Sequence, residues 1–278
     1  PPGNVAIISH SGAGMSGILC GIRLQQEGYD DYVIYEKAPA AGGTWYWNRY
    51  PGLCCDIPSH VYSYSFALNP EWSRKYSAGP EIRAYFQRIA EDYGVAQRIR
   101  CNAEVTACEF RDGRWHLTIA DGRTDVADIV LCATGILHHP RLPEIEGLDS
   151  FAGPAFHSAQ WPDGLALAGK RVGVVGTGST AVQIVSEIVD EVAGLDLFQR
   201  SAQWIFPESN AVYGEDEKAR FRDDAAGLRH VHDRMREMIA ERFSNALIDS
   251  DGEAMHVIEA LCRRHLEETV HDPELRRR

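Results

Sequence analysis

The sequence lacks several features that would assign it to common classes of protein. It has no run of about 18 apolar residues, the length that a membrane-spanning helix needs, so we expect no transmembrane helix and no membrane partner. It has no basic excess: 28 Lys and Arg stand against 40 Asp and Glu, a formal net charge of −12. Nucleic-acid-binding faces are normally basic, so no nucleic-acid partner is expected. The N-terminal residues carry no basic stretch followed by a long apolar one, so no secretory signal is visible and a cytoplasmic location is expected.

The cysteines follow no pattern that is typical of a redox pair or a metal site. There are seven of them, an odd number, and no two have CxxC spacing. Cys54 and Cys55 are adjacent, which is a poor geometry for an ordinary disulfide. We therefore expect free thiols in a reducing compartment. No cluster of Cys and His has finger-like spacing, so no metal site is expected.

What the sequence does contain is a repeated unit. The 278 residues are long enough for about two domains, and 44% hydrophobic with 24% charged residues is ordinary for a globular chain. A strand, a glycine-rich turn and a helix occur near 5–27 and again near 171–193, each followed by a second strand. This order predicts adjacent parallel strands. The expected fold class is therefore α/β, with two Rossmann-like dinucleotide-binding domains.

Both turns have the glycine spacing that a dinucleotide requires. The first glycine permits a tight turn, the second lets a pyrophosphate approach the backbone, and the third position packs helix on strand. The N-terminus of the following helix offers free N–H groups to the phosphates. The positions are Gly12, Gly14 and Gly17 in the first unit and Gly176, Gly178 and Ala181 in the second.

The residue at the end of each second strand distinguishes the two nucleotides. In the first unit it is Glu36, and a carboxylate there accepts hydrogen bonds from ribose hydroxyls and repels a 2′-phosphate, which suits FAD or NAD. In the second unit Arg200 and Ser201 stand in that region and suit the 2′-phosphate of NADP. A surface ion pair is the alternative for Glu36 and for Arg200. FAD with NADPH is the economical pairing, since the two together describe a flavin reduced by hydride.

The remaining segments predict how the domains are elaborated. From 101 to 131 the apolar period becomes two, with Asp-Gly turns, which predicts a β-meander. From about 215 to 271 the pattern is helical and charged, with two apolar stripes that predict the core faces of two helices in a helical insertion. We expect an FAD-binding domain at 1–140, a linker at 141–168 and an incomplete NADP-binding domain at 169–278.

The most specific signal lies in the linker. The run from Phe151 to Pro162 reads FAGPAFHSAQWP and fits FxGxxxHxxxWP at every fixed position. This motif resembles the fingerprint of the Baeyer–Villiger monooxygenases, whose flavin-containing relatives usually have Tyr where Trp161 stands. The segments GGTWYWNRYPG at 42–52 and CDIPS at 55–59 are similar to that family too. The resemblance covers essentially the whole chain.

The resemblance implies an activity and its partners. In that family NADPH reduces FAD, and the reduced flavin with dioxygen converts a ketone into an ester or lactone. The implied cofactors are FAD and NADP, and the implied substrates are a small ketone and O2. A flavin-dependent N- or S-oxygenase is an alternative, disfavoured by Trp161-Pro162. A nucleotide-binding module without catalysis is another, whereas a disulfide reductase would need a redox cysteine pair.

The resemblance also assigns roles to residues. Asp56 matches the acidic residue that positions an active-site arginine, and the alternative is a turn Asp before Ile57-Pro58. His157 matches the fingerprint histidine near the nicotinamide site, and the alternative is a structural histidine bonding the backbone. Trp45 and Trp47 line the flavin or are core aromatics. The cofactor contacts that the motifs imply are Gly43, Thr44, Trp45, Trp47, Asp56, Tyr62 and Ser179.

Two departures from the family pattern stand out. Ser9, His10 and Ser11 separate the first strand from its glycine turn, whereas in the family the strand runs directly into the first glycine. The extra residues are expected to affect FAD binding. Family members also continue for roughly as long again as these 278 residues, so an N-terminal portion is expected, with the active-site arginine beyond it.

Overall fold

The computed structural model describes residues 4–9, 15–135, 137 and 139–277. The chain forms two compact units, each made of separate stretches of sequence. The first unit comprises 1–53 and 79–165, and the second comprises 54–78 and 166–278. Among the described residues, no helix has both the length and the apolar character to cross a bilayer.

The first unit is built on a parallel sheet. Its elements are β1 (Val5–Ser9), α1 (Met15–Gln26), β2 (Tyr32–Glu36), α2 (Thr44–Trp47), α3 (Gly79–Asp92), β3 (Ile99–Arg100), β4 (Val105–Arg111), β5 (Arg114–Ile119), β6 (Thr124–Ala127) and β7 (Ile129–Cys132), with 3₁₀ turns at Ala96–Arg98, Leu148–Ser150 and Ser158–Gln160. The sheet order is β3-β2-β1-β7, and every described neighbour is parallel. All of β1 is buried, as expected for a central strand covered on both faces. The predicted first β-α-β unit is confirmed.

The β-meander is also confirmed, and it closes over the parallel sheet. Strands β4, β5 and β6 are antiparallel in that order. Asp112 and Gly113 connect β4 to β5 with φ of 51° and 77°, the left-handed backbone that a two-residue hairpin turn needs. Leu117 of β5 packs with Ile8 and Tyr35 of the parallel sheet in one buried cluster.

The second unit repeats the β-α-β order and adds helices. Its elements are β8 (Arg171–Val175), α4 (Ser179–Ile188), β9 (Gly194–Phe198), α5 (Glu215–Asp223), α6 (Ala225–Ile239), α7 (Asn245–Ile248) and α8 (Glu253–Thr269), with a π-helical segment at Ala240–Ser244 and a 3₁₀ turn at Leu275–Arg277. Strands β8 and β9 are parallel, with Val175 opposite Phe198. This confirms the second predicted unit.

The helical stretch differs in detail from the two helices predicted. Both apolar stripes are present, on α6 and α8, and Leu228 and Cys262 are buried there. A further helix, α5, precedes them and carries almost no apolar stripe, which is why its periodicity gave no signal. It ends at Asp223 because Asp224 begins the next helix, accepting a hydrogen bond from the Gly227 amide at 2.8 Å.

Segment 54–78 belongs to the second unit although it contains no helix or strand of its own. It pairs with a stretch that precedes α5: the amide of Lys75 donates to the Ala211 carbonyl at 2.9 Å, and that of Tyr213 donates to Ser73 at 2.9 Å. Inside the segment, the Ser59 hydroxyl donates a hydrogen bond to the Ser77 hydroxyl at 2.9 Å. Trp72 is buried there. The segment is therefore an ordered part of the second unit.

Candidate nucleotide-binding sites

The first glycine turn is described only at its helical end. Gly12 and Gly14 lie outside the described residues. Gly17 is buried in α1 beside Ile18, the location expected for the glycine that packs helix on strand. Glu36 ends β2, at the carboxyl end of the parallel sheet, where nucleotides bind in folds of this kind.

Glu36 is fully enclosed in this structure. Its carboxylate accepts a hydrogen bond from the Ser9 hydroxyl at 2.6 Å on Oε2 and from the Ala38 amide at 2.8 Å on Oε1. Both Glu36 and Ser9 are 0% exposed. The same carboxylate raises the pKa of the Cys101 thiol, in addition to the larger effect of burial. The residue type therefore suits a ribose, but a ribose reaches this carboxylate only if a neighbouring group moves.

The segment GGTWYWNRYPG starts with two glycines in conformations that few other residues adopt. Gly42 has φ of 145°, and Gly43 has φ of 56° with ψ of −127°. Gly43 caps α2, the short helix that carries Thr44, Trp45 and Trp47. These four predicted contacts thus lie on one turn of chain in the first unit. A Cβ on Gly42 would lie 3.0 Å from Arg83, whose guanidinium stacks on Tyr46. Glycine is therefore required at 42 by both backbone and space.

The second glycine turn is open. Gly176 has φ of 110°, and its amide donates to the Phe198 carbonyl at 2.9 Å, which ties the turn to the end of β9. A Cβ on Gly176 or Gly178 would meet no atom of the described residues within 4 Å. Ser179 begins α4. The residue before it, Gly178, has no side chain to cap the first amides of the helix. A helix N-terminus with free N–H groups beside open space is a suitable site for a pyrophosphate.

Arg200 and Ser201 lie beside this turn. The Thr177 hydroxyl, between the two glycines, donates to the Ser201 carbonyl at 3.1 Å. Arg200 is exposed, and its guanidinium makes no hydrogen bond or ion pair with any residue in the described part of the chain. The alternative of a surface ion pair therefore has no support within those residues. The second unit thus places Gly176, Gly178, Ser179, Arg200 and Ser201 just beyond the carboxyl ends of β8 and β9.

Asp56 and Tyr62 are both in segment 54–78. Asp56 is exposed, and its carboxylate has no hydrogen-bond partner among the described residues. The adjacent Cys55 is buried, and burial raises the pKa of its thiol to about 12, so it is no nucleophile at neutral pH. All seven cysteines are free.

Two amide side chains that the sequence analysis did not single out hold this segment. Gln183 of α4 donates from Nε2 to the Cys54 carbonyl at 3.0 Å and accepts from the Cys54 amide at 3.5 Å. Asn210 pairs with Tyr76 in the same way. Its Nδ2 donates to the Tyr76 carbonyl at 3.0 Å, and its Oδ1 accepts from the Tyr76 amide at 2.9 Å. The only available signal was a glutamine within the otherwise apolar run AVQIV of α4.

His157 and the fingerprint around it have local structural roles. Nδ1 of His157 accepts from the Ala159 amide at 3.1 Å and caps a 3₁₀ turn. The ring of Phe151 lies over Gly153, where a Cβ would come 2.8 Å from it. Phe156 and Trp161 pack edge to face with centroids 5.2 Å apart. The backbone contact matches the structural alternative for His157 and leaves its Nε2 for another partner.

Comparison with known proteins agrees with this architecture. The pyridine nucleotide-disulphide oxidoreductase family matches residues 7–220. A Baeyer–Villiger monooxygenase of Pseudomonas aeruginosa is 41% identical over 276 residues, 99% of this chain and 51% of the relative. A cyclohexanone monooxygenase mutant from Rhodococcus sp. Phi1, bound to NADP+, superposes with a TM-score of 0.81 at 28% identity, covering 99% of this chain and 60% of that one. The OTEMO complex with FAD and NADP has a TM-score of 0.72 at 34% identity, covering 80% of this chain and 44% of that chain.

The chain spans about half the length of the curated relatives it matches. The family match covers well over half of the chain itself. The chain therefore belongs to the pyridine nucleotide-disulphide oxidoreductase family, and two of the curated relatives that it resembles are Baeyer–Villiger monooxygenases.

Proposed function

We propose that this chain provides the nucleotide-binding units of an FAD- and NADPH-dependent Baeyer–Villiger monooxygenase. The overall reaction converts a ketone, O2, NADPH and a proton into an ester or lactone, water and NADP+. The observation that carries the proposal is the opposite charge at the end of the second strand of the two β-α-β units, Glu36 in one and Arg200 in the other. One unit then accepts a dinucleotide without a 2′-phosphate and the other accepts one with it.

In the second unit the proposed ligand is NADPH. The amides at the start of α4 bind its pyrophosphate, and the space around Gly176 and Gly178 admits it close to the backbone. Arg200 and the Ser201 hydroxyl bind the 2′-phosphate. These groups hold and orient the nucleotide, and an NADP-bound relative with the same fold supports the assignment.

In the first unit the proposed ligand is FAD, which when bound supplies the redox chemistry that activates dioxygen. Glu36 is the acceptor for the adenosine ribose, and Gly43, Thr44, Trp45 and Trp47 provide the apolar segment beside the flavin. The relative that holds both FAD and NADP supports this pairing.

Asp56 and His157 are proposed to act by positioning. An exposed carboxylate without a partner among the described residues is available to hold a cationic side chain charged and oriented, as Asp56 is proposed to do. With Nδ1 of neutral His157 accepting from the backbone, its proton is on Nε2, which can donate toward the nucleotide.

We further propose a cytoplasmic location, since seven free thiols suit a reducing compartment. The ketone is expected to be a small molecule. The acidic net charge of −12 argues against a nucleic-acid partner.

The test is the absorbance spectrum of the purified chain under anaerobic conditions, before and after NADPH. Flavin that copurifies and bleaches with NADPH, but slowly with NADH, is expected. Flavin that bleaches equally with both would contradict the 2′-phosphate assignment. Failure to bind FAD or NADPH at high concentration would contradict the proposed function. Supplying ¹⁸O2 and a ketone to a reduced sample then distinguishes ester formation from oxidation of an amine or sulfide.

A further inference from the structure

The first unit has a serine where its parallel sheet meets the proposed ribose acceptor. Ser9 is the last residue of β1 and lies directly opposite Glu36, the last residue of β2. Its hydroxyl donates to Glu36 Oε2 at 2.6 Å, the short distance of a hydrogen bond to an ionised carboxylate. Such bonds are about twice as strong as those between neutral groups.

The backbone holds Ser9 in this position. Its carbonyl accepts from the Lys37 amide at 3.1 Å, immediately after Glu36. On the other side of β1, the Ile8 carbonyl accepts from the Ala133 amide at 2.9 Å. Because β1 is paired on both edges, Ser9 cannot withdraw from Glu36 without disturbing the centre of the sheet.

The contact leaves little of the carboxylate for a ligand. The other oxygen, Oε1, already accepts from the Ala38 amide at 2.8 Å, and the whole side chain is 0% exposed. On Oε2, a ribose hydroxyl that donates to Glu36 has to share the oxygen with the Ser9 hydroxyl or replace it. Replacing it costs the protein a strong hydrogen bond.

We propose that Ser9 is an affinity-determining residue of the flavin site, whose hydroxyl occupies the Glu36 oxygen that an adenosine ribose would use. This inference rests on the proposed function, since it takes FAD as the ligand of the first unit. Ser9 thereby weakens FAD binding while it stabilises the free protein. Ser9 competes with the ribose hydroxyl that would donate to Glu36. Its effect on affinity therefore acts at the adenosine end of FAD.

The experiment is titration of the full chain with FAD, followed by quenching of flavin fluorescence, for the wild type and three variants. Ser9→Ala removes the hydroxyl and is expected to bind FAD at least about tenfold more tightly. Ser9→Thr keeps a hydroxyl in a strand position and is expected to bind like the wild type. Ser150→Ala, in an exposed 3₁₀ turn, is the matched control and is expected to bind like the wild type.

Thermal unfolding of the same proteins gives a second readout. Without FAD, Ser9→Ala is expected to melt below the wild type, because a buried carboxylate loses a donor. With saturating FAD its Tm is expected to rise by more than that of the wild type, because the ribose supplies the missing donor.

The outcomes separate this inference from the proposed function. Equal or weaker FAD affinity of Ser9→Ala, with normal NADPH binding, would overturn the role of Ser9 and leave the flavin site in place. Tight binding by Ser9→Thr together with Ser9→Ala would overturn it too, because the hydroxyl would then be irrelevant. Failure of every variant to bind FAD would overturn both proposals.

Discussion

The side-chain amide of Gln183 pairs with both backbone groups of Cys54, donating at 3.0 Å and accepting at 3.5 Å. These two bonds are the kind that a neighbouring strand would make with the backbone of Cys54. Asn210 does the same for Tyr76 near the other end of segment 54–78. The side-chain amide of Gln183 therefore joins α4, the helix after the second glycine turn, to the segment that carries Asp56.

We predict that Gln183→Leu loosens the start of this segment without unfolding the second unit. A leucine fills similar space but leaves the Cys54 carbonyl unpaired, at a cost of about 1–2 kcal/mol. Hydrogen exchange of a peptide covering 54–58 is expected to accelerate by about 5–30-fold.

The control for this substitution is Gln199→Leu. Gln199 is exposed and makes no hydrogen bond among the described residues. Exchange in peptides of β8 should be the same in both variants. Unchanged exchange at 54–58 in Gln183→Leu would show that the amide contributes nothing to the order of the segment.

We predict that Gly178→Ala impairs nucleotide binding more than it impairs stability. Gly178 has φ of −70°, which alanine adopts freely, and a Cβ there would meet no atom within 4 Å in the part of the chain that the structure describes. The free energy of unfolding should fall by less than about 1 kcal/mol. Affinity for NADPH should fall by more than about tenfold, because the methyl group occupies space that the pyrophosphate needs.

Gly176→Ala is the informative partner for that experiment. Its φ of 110° is strained for alanine, so this variant should lose stability by about 1–3 kcal/mol as well as affinity. Urea unfolding and NADPH titration of both variants separate the backbone requirement from the ligand requirement. Undiminished NADPH affinity in Gly178→Ala would place the nucleotide elsewhere.

We predict that Arg200→Ala discriminates between the two nicotinamide nucleotides. Loss of a guanidinium that binds the 2′-phosphate should weaken NADPH by about 10–100-fold and leave NADH nearly unchanged. Arg171→Ala is a suitable control, because Arg171 begins β8 and pairs with Asp196 at 3.3 Å. Equal losses for NADPH and NADH in Arg200→Ala would contradict the assignment.

We predict that His60 makes the stability of the second unit dependent on pH. It is 1% exposed, neither ring nitrogen has a hydrogen-bond partner among the described residues, and it packs against Tyr213 and Phe221. Burial, with a smaller effect of His232, lowers the pKa of His60 from 6.5 to about 4. The folded protein therefore favours the neutral ring. The contribution of the neutral His60 ring to the free energy of unfolding is present above pH 6.5, and it is lost as the pH falls from 6.5 toward 4.

Urea unfolding at pH 7 and pH 5 measures this effect. The wild type should lose about 2 kcal/mol through His60 at pH 5 relative to pH 7. His60→Phe, which suits the aromatic surroundings, should remove that part of the loss. His256→Phe changes an exposed histidine, and this variant should lose as much stability between pH 7 and pH 5 as the wild type does. The same loss in His60→Phe and wild type would assign the pH dependence to other groups.

Much of this architecture follows from local pattern. Both β-α-β units and the Asp112-Gly113 hairpin were predictable, because strand composition, glycine spacing and turn chemistry each act over a few residues. The grouping of Gly176 with Arg200 was predictable for the same reason, since parallel neighbours end at one edge of a sheet.

The contacts made by polar side chains across the sequence were not predictable in this way. Gln183 is 129 residues from Cys54, and nothing local to either residue marks the bond. The extra residues from Ser9 to Ser11 are visible in the sequence, but the bond from Ser9 to Glu36 depends on the register of two strands. Helix α5 was missed as a separate helix because it has almost no apolar stripe.

The assignment of segment 54–78 to the second unit affects how the protein is made. Cys54 leaves the ribosome 129 residues before Gln183. At a synthesis rate of about 5–20 residues per second, the segment waits roughly 6–26 seconds for the helix that holds it. During that interval the first unit is interrupted by a stretch that cannot yet dock, because His60 packs against Tyr213 and Phe221, which are made much later. A chaperone that acts on the nascent chain would find its target in this segment.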